Sequence, residues 1–284
     1  MVDTGKADSD VTAPTHSGLA ALLRWYVDMG ADEAIAEAPA NRLAPPPLAA
    51  RGAVRPASRS ALAAEPLVAP AAFIESPAES ARSARLAAGG ADTLAALEAA
   101  IAEFEGCALK QTATNTVIAD GNPIAPVMII GEAPGADEDR IGRPFVGRAG
   151  QLLDRMLAAI GLDRTGVLVT NVIYWRPPGN RTPTADEIAA CLPFVLRHIA
   201  LARPQVLVLA GATAARALLP PGPGITRLRG RWFELSVPGL GDAVPTLPMF
   251  HPSFLLRAPE RKREAWRDLL ALRARLDELL SAAP

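Results

Sequence analysis

The chain has 284 residues, half of them apolar, which is enough for one large domain or two small ones with a sizeable core. Its 29 Lys and Arg balance 30 Asp and Glu to a net charge of −1, which excludes a global polyanion-binding surface, so any nucleic-acid contact has to come from local clusters. Two cysteines exclude a disulfide framework, and the absence of a membrane-length apolar run or a signal pattern excludes a spanning or secreted class, so a cytoplasmic protein is expected.

In chain order, the polar first 16 residues read as disordered. LAALLRWYVDMGADEAIAE then has the period of an amphipathic helix over about 17–38, with Leu22, Leu23, Tyr26 and Met29 near one face. From 38 to 90 the composition turns to Ala and Pro, which predicts a disordered linker, so residues 1–90 are read as an extension and 91–284 as the folded domain. TLAALEAAIAEFEG predicts a short helix that Gly106 can end. Beyond Ala125 the apolar runs VMIIG, VLVTNV, VLVLAG and TLPMF alternate with helical segments, the mark of an α/β fold with a parallel sheet covered on both faces. Ligands of such sheets bind off the carboxyl ends of the strands. GEAPG, NVIYWRPPGNRTPT and FHPSFLLR stand at those ends.

The first of these opens GEAPGADEDRIGRPFVGRAG, whose glycines suggest a phosphate loop. It has neither GxxxxGK[ST] nor GxGxxG, and Glu132, Asp137, Glu138 and Asp139 would repel a triphosphate. A tight strand-to-helix turn explains Gly131, Pro134 and Gly135 but leaves Phe145, an apolar ring in a loop, without a reason. Of three histidines, His16 falls in the tail, His198 lies in a helical run where a structural role is the commoner outcome, and His251 follows the last strand, with Pro252 fixing its backbone. Asn171 ends another strand. Its amide is either turn-forming or a donor and acceptor pair of the kind that reads a base edge. A flat-ring stacker, an edge-reading amide and a histidine together point to a nucleobase pocket.

GEAPGADEDRIGRPFVGRAGQLLDRML, TNVIYWRPPGNRTPTADEIAACLPF and MFHPSFLLRAPERKREAW, in this order, resemble the three signature segments of the family 4 uracil-DNA glycosylases, a branch usually built around an iron–sulfur cluster. The resemblance covers roughly residues 100 to 275 and implies a three-layer α/β/α sandwich around a four-stranded parallel sheet. It further implies hydrolysis of the N-glycosidic bond of deoxyuridine in single- or double-stranded DNA, releasing uracil from a flipped-out nucleotide and leaving an abasic site. Carried over by motif, Phe145 stacks on uracil, Asn171 bonds its O4 and N3–H, and His251 donates to O2 as charge develops there. Ala133 stands beside the base, where the best-known branch of the superfamily has an aspartate. Glu132 and Glu138 are then the carboxylates for water or cation, unless they are solvated or capping groups; Glu138 can alternatively line the C5 side of the base.

For DNA, Arg176, Asn180 and Arg181, then Arg227, Arg229 and Arg231, then Arg257, Arg261, Lys262 and Arg263 form three basic clusters, each either a phosphate contact or a solvated face. Asn180, Arg181, Ser253 and Arg257 are the DNA contacts that the motifs imply. Phe254 or Leu255 is available as a wedge, or simply packs. The family holds its cluster with four cysteines, but here Phe104 and Trp175 stand at two of those places and only Cys107 and Cys191 remain, so no cofactor and no metal is expected. The large rings can fill the cluster's space by packing. A covalently trapping uracil-DNA binding protein is the alternative, although its histidine is missing from RPPGNRTPT. A non-catalytic repair module tethered to a protein partner by the N-terminal arm is another. A monomer acting at the nucleoid is expected.

Overall fold

The computed structural model describes residues 76–282. The amphipathic helix expected over 17–38 therefore lies outside the described residues, as does most of the linker. The last residues assigned to the linker are not linker. Pro77–Gly89 forms a helix, α1, whose N-cap Ser76 accepts from the Glu79 backbone N–H while Glu79 reaches back to the Ser76 N–H. Alanine is the strongest helix former, so an Ala-rich stretch opened by a capping box becomes a helix when a partner surface is available. Ser80, Ala84 and Ala88, spaced by four, are its buried residues, and their small size permits a close approach to α5 (Ala185–Ala202).

The next helix, α2 (Leu94–Glu103), is capped by Thr93 and stops before Gly106, because Phe104 turns to an extended conformation. Six strands follow, β1 (Ala119–Gly121), β2 (Val127–Gly131), β3 (Val167–Asn171), β4 (Val206–Ala210), β5 (Phe233–Leu235) and β6 (Val244–Met249), joined in the order β1-β3-β2-β4-β6-β5. The central four are parallel, as the alternation predicts. The three-residue edges β1 and β5 are antiparallel additions that were not expected.

Strands β2, β3 and β4 are buried along their whole length, which explains their uninterrupted apolar sequence. Alternate residues serve opposite cores. Val127, Ile129, Val169 and Val208 meet Leu153 and Leu157 of α4 (Arg148–Ala158) and Leu272 and Leu276 of α9 (Lys262–Ala282). Met128, Ile130, Leu168 and Leu209 meet α2, α5 and α6 (Ala212–Leu218) through Leu97, Ile101, Phe194, Val195 and Ala214. The result is the expected three-layer α/β/α sandwich. The chain leaving β2 passes through α3 (Ala136–Ile141) to α4 on one face, whereas the chain leaving the adjacent β4 goes to α6 on the other. A crevice opens between such loops at the carboxyl edge of the sheet. Short helices α7 (Ile225–Leu228) and α8 (Pro252–Arg257) complete the fold.

Candidate active site

A cavity of about 390 Å³ occupies that crevice. The ten residues to which the motif resemblance assigns roles line it, namely Glu132, Ala133, Glu138, Phe145, Asn171, Asn180, Arg181, His251, Ser253 and Arg257, whereas Arg176, Arg261, Lys262 and Arg263 of the basic clusters do not. Strand register is the first cause of this convergence. Gly131 pairs with Asn171 across β2 and β3, so Glu132 and Ala133 emerge next to the Asn171 amide. Gly131 also makes room, because a Cβ there would stand 2.4 Å from Asn171 Oδ1 and 2.5 Å from Phe145 Cζ.

Asn171 is buried, and no hydrogen bond from its amide to the described protein is present. The amide opens on the cavity, so its donor and acceptor are free for a ligand. Phe145 is also buried, has a left-handed backbone with φ 54°, and stacks its ring on the His251 imidazole at 5.4 Å and 29°.

His251 is the N-cap of α8, where Pro252 occupies the first helical position. The Ser253 backbone N–H donates to His251 Nδ1 at 3.1 Å, and Ser253 Oγ lies 2.8 Å from the same nitrogen. Nδ1 is thus an acceptor, and the proton of the neutral ring sits on Nε2. Burial, aided by the positive charge of Arg257, lowers the His251 pKa to about 4. At neutral pH the site therefore holds a neutral imidazole with a fixed Nε2–H donor, a question the sequence leaves open.

The two carboxylates separate clearly. Glu138 is buried and accepts from Gly135 N at 3.1 Å with Oε2 and from Gly147 N at 2.8 Å with Oε1, stapling the two glycine turns on either side of Phe145. Its capping-type geometry, left open by the sequence, commits both oxygens. Glu132 is half-buried and makes no hydrogen bond or ion pair with its side chain among the described residues.

On the rim, Arg257 is exposed with no ion-pair partner among the described residues, and Asn180 Oδ1 accepts from Arg176 Nε at 2.7 Å. Arg181 is exposed but anchored, donating to both oxygens of Glu187 at 2.9 and 2.6 Å. One expectation needs correction, and readings that the sequence leaves open are decided. Arg229 is not a surface group: it pairs with the buried Asp268, donates to Glu264 O and lies over the Phe250 ring at 5.4 Å. Its neighbours Arg227 and Arg231 do not line the cavity either. Leu255 is buried in the core and so is not available as a wedge, while Phe254 rests on Phe250 with centroids 4.9 Å apart. His198 is buried in α5, in keeping with the structural role expected of it, its pKa lowered to about 4 by burial and its Nδ1 without a partner, and it does not line the cavity.

Elsewhere, the four positions of the family's cluster cysteines lie in one buried corner. Phe104 stacks on Trp175 at 6.4 Å and meets Phe194 edge-on at 5.0 Å, and Trp175 Nε1 donates to Thr116 Oγ1 at 3.0 Å. Cys107 and Cys191 are both buried beside them and hydrogen-bond each other, which pulls the Cys107 thiol pKa down and pushes that of Cys191 up. Two thiols flanked by packed rings do not fit a cluster that needs four thiolates.

Against known proteins, the Uracil DNA glycosylase superfamily matches residues 118–270. The chain is 43% identical over 152 residues to a type-4 uracil-DNA glycosylase of Thermotoga maritima, covering 53% of this chain and 77% of that protein. It is 41% identical over 162 residues to a type-4 enzyme of Archaeoglobus fulgidus, covering 56% and 80%, and 37% identical over 173 residues to one of Pyrobaculum aerophilum, covering 60% and 87%. A type-5 uracil-DNA glycosylase of Pyrobaculum aerophilum matches at 32% over 121 residues, 53% of its length. The fold, the cavity at its carboxyl edge and these likenesses agree: the chain belongs to the uracil DNA glycosylase superfamily, in its type-4 branch.

Proposed function

We propose that this protein is a DNA-repair glycosylase that hydrolyses the N-glycosidic bond of deoxyuridine, releasing uracil and leaving an abasic site. The observation that carries the reading is the trio at the cavity: the Phe145 ring, the unpartnered Asn171 amide and the neutral His251 with its proton on Nε2. A flipped uracil stacks on Phe145. The Asn171 amide donates to O4 and accepts from N3–H, which cytosine cannot satisfy because its donor and acceptor are exchanged. As the bond breaks, the sugar becomes oxocarbenium-like and the base anionic, and the His251 Nε2–H stabilises charge on O2 that is absent in the ground state.

Glu132 is the carboxylate placed to orient water or to balance the sugar cation, being free of protein partners. Glu138 serves this chemistry indirectly, through the turns it holds. Arg257, Ser253, Asn180 and Arg181 meet the flanking backbone, and because such contacts displace counterions from the phosphates the binding is expected to weaken with salt. Phe104 and Trp175 take the structural place of the cluster, so the purified protein is expected to be colourless and free of iron by elemental analysis, while retaining its fold. Stoichiometric iron would sink that part of the reading.

The test is incubation with labelled single- and double-stranded oligonucleotides bearing one uracil, followed by alkaline cleavage at abasic sites. Cleavage only of the uracil strand is expected; no cleavage above a uracil-free control, across several salt concentrations, overturns the assignment. A trapping protein would instead leave a covalent protein–DNA adduct that survives denaturation. RPPGNRTPT offers no histidine to form one.

A further inference from the structure

Phe145 adopts a conformation its residue type resists. A φ of 54° places a bulky side chain in the left-handed region, where Cβ crowds the backbone. Two glycines make the conformation sterically possible. A Cβ on Gly150 would lie 1.7 Å from Phe145 O, and one on Gly131 would lie 2.5 Å from the end of the ring. Neither glycine holds the turn in place.

The group that does is Arg164, between α4 and β3. Its Nη2 donates to Phe145 O at 2.6 Å, and Nη1 reaches Pro144 O at 3.5 Å. The guanidinium is itself aimed: Nε donates to Asp154 Oδ1 at 2.6 Å and Nη1 to Asp120 Oδ2 at 3.2 Å. Asp120, on the edge strand β1, also accepts Nε and Nη2 of Arg143 at 3.1 Å each, two residues before Phe145. The peptide that sets the Phe145 Cα–Cβ direction is thus gripped from outside the cavity by a charged planar fork, whose hydrogen bonds are stronger and more directional than those of a neutral donor. Arg164 does not line the cavity.

We infer that Arg164 is a positioning residue: by holding the carbonyls of Pro144 and Phe145 it fixes the left-handed turn that sets the Phe145 ring against His251. The inference rests on the reading that this ring stacks on the extruded base. A lysine at 164 keeps the charge but lacks the fork needed to satisfy two carboxylates and two carbonyls at once.

The experiment compares Arg164→Met and Arg164→Lys, each alone and combined with Phe145→Ala. In the intact protein Arg164→Met is expected to lower kcat/KM for uracil release roughly ten- to a hundredfold, the scale of a misplaced substrate-positioning group. Arg164→Lys should restore only part of it. In the Phe145→Ala background the same change should cost less than about twofold, because the ring it positions is gone. An equal factor in both backgrounds, or a wild-type rate in Arg164→Met, overturns the inference, as does failure of both variants to fold.

A second readout does not depend on activity. The His251 ring protons lie beside the Phe145 ring, 5.4 Å between centroids, so their NMR resonances should move in Arg164→Met while those of His198 stay in place. Unmoved His251 resonances overturn the inference. Moved resonances in a protein whose wild type releases no uracil would uphold it and remove the glycosylase reading instead.

Discussion

The cavity and the aromatic corner around Phe104 and Trp175 draw on overlapping parts of the chain, with Asn171 and Trp175 only four residues apart, yet they are built on opposite principles. In the corner, the rings meet in stacked and edge-on pairs and the indole N–H has a partner. At the cavity an amide faces the opening without a protein partner, a phenylalanine sits in a left-handed turn, and an imidazole is held in one tautomer. The corner carries one cost of its own, the buried Tyr174 hydroxyl without a partner, but its rings serve packing, whereas the cavity presents a free amide and a strained turn that a ligand can use. Substitutions in the two should therefore separate stability from rate.

The largest expected effect is on stability. Phe104→Ala removes a ring packed on two others and should cost about 3–5 kcal/mol in denaturant unfolding. The rate per folded molecule should stay within about twofold of wild type; a rate loss matching that of the cavity variants would erase the distinction between the regions. Asn171→Ala is its mirror image, expected to cost roughly a hundredfold or more in rate, on the order of 3 kcal/mol of transition-state stabilisation. Its melting temperature should hold, since the amide makes no hydrogen bond within the described protein that the change could remove. A marked loss of stability there would show that the amide serves the fold.

A third test uses pH. His198 is buried and its folded pKa is lowered from 6.5 to about 4. Between those values the unfolded chain binds a proton that the folded chain refuses, so stability falls as pH falls through that window and the loss is complete below about 4. The shift corresponds to about 3 kcal/mol. His251 contributes a slope in the same window, so His198→Leu should reduce, by roughly half of what the two histidines supply, the slope of unfolding free energy between pH 7 and 4, and an unchanged slope would mean that the His198 imidazole is not held neutral. The smallest effect is expected from Gly211→Ala, at the end of β4, where φ is 100° and a Cβ would stand 2.9 Å from His251 Cβ. A cost of about 1 kcal/mol in stability follows from the backbone, and a several-fold loss in rate from displacing the imidazole. Loss of stability with no change in rate would show that the imidazole tolerates the shift.

The sequence makes the four central strands readable because β2, β3, β4 and β6 are apolar runs that end in polar or glycine turns. It also makes Phe145, Asn171 and His251 readable, because strand ends of a parallel sheet converge. The short strands β1 and β5 carry too few residues for a period, and α1 reads as linker because its alanines become helical only against α5. The role of Glu138 depends on Gly147, nine residues away, and that of Arg164 on Phe145, nineteen away, so neither follows from local pattern. The arginine run around Arg229 shows the same limit. Its charge reads as available in the sequence, but Asp268, on a distant helix, takes it up.

The parallel strands of this sheet are never its borders. Each outer position is taken by an antiparallel strand of only three residues, β1 on one side and β5 on the other. An exposed strand is a template for another chain, and its danger grows with the length of unpaired backbone it presents. The strongly apolar strands that build the cavity are thereby fenced off from intermolecular pairing, and the aggregation hazard carried by runs such as VMII and VLVL is confined to the unfolded chain.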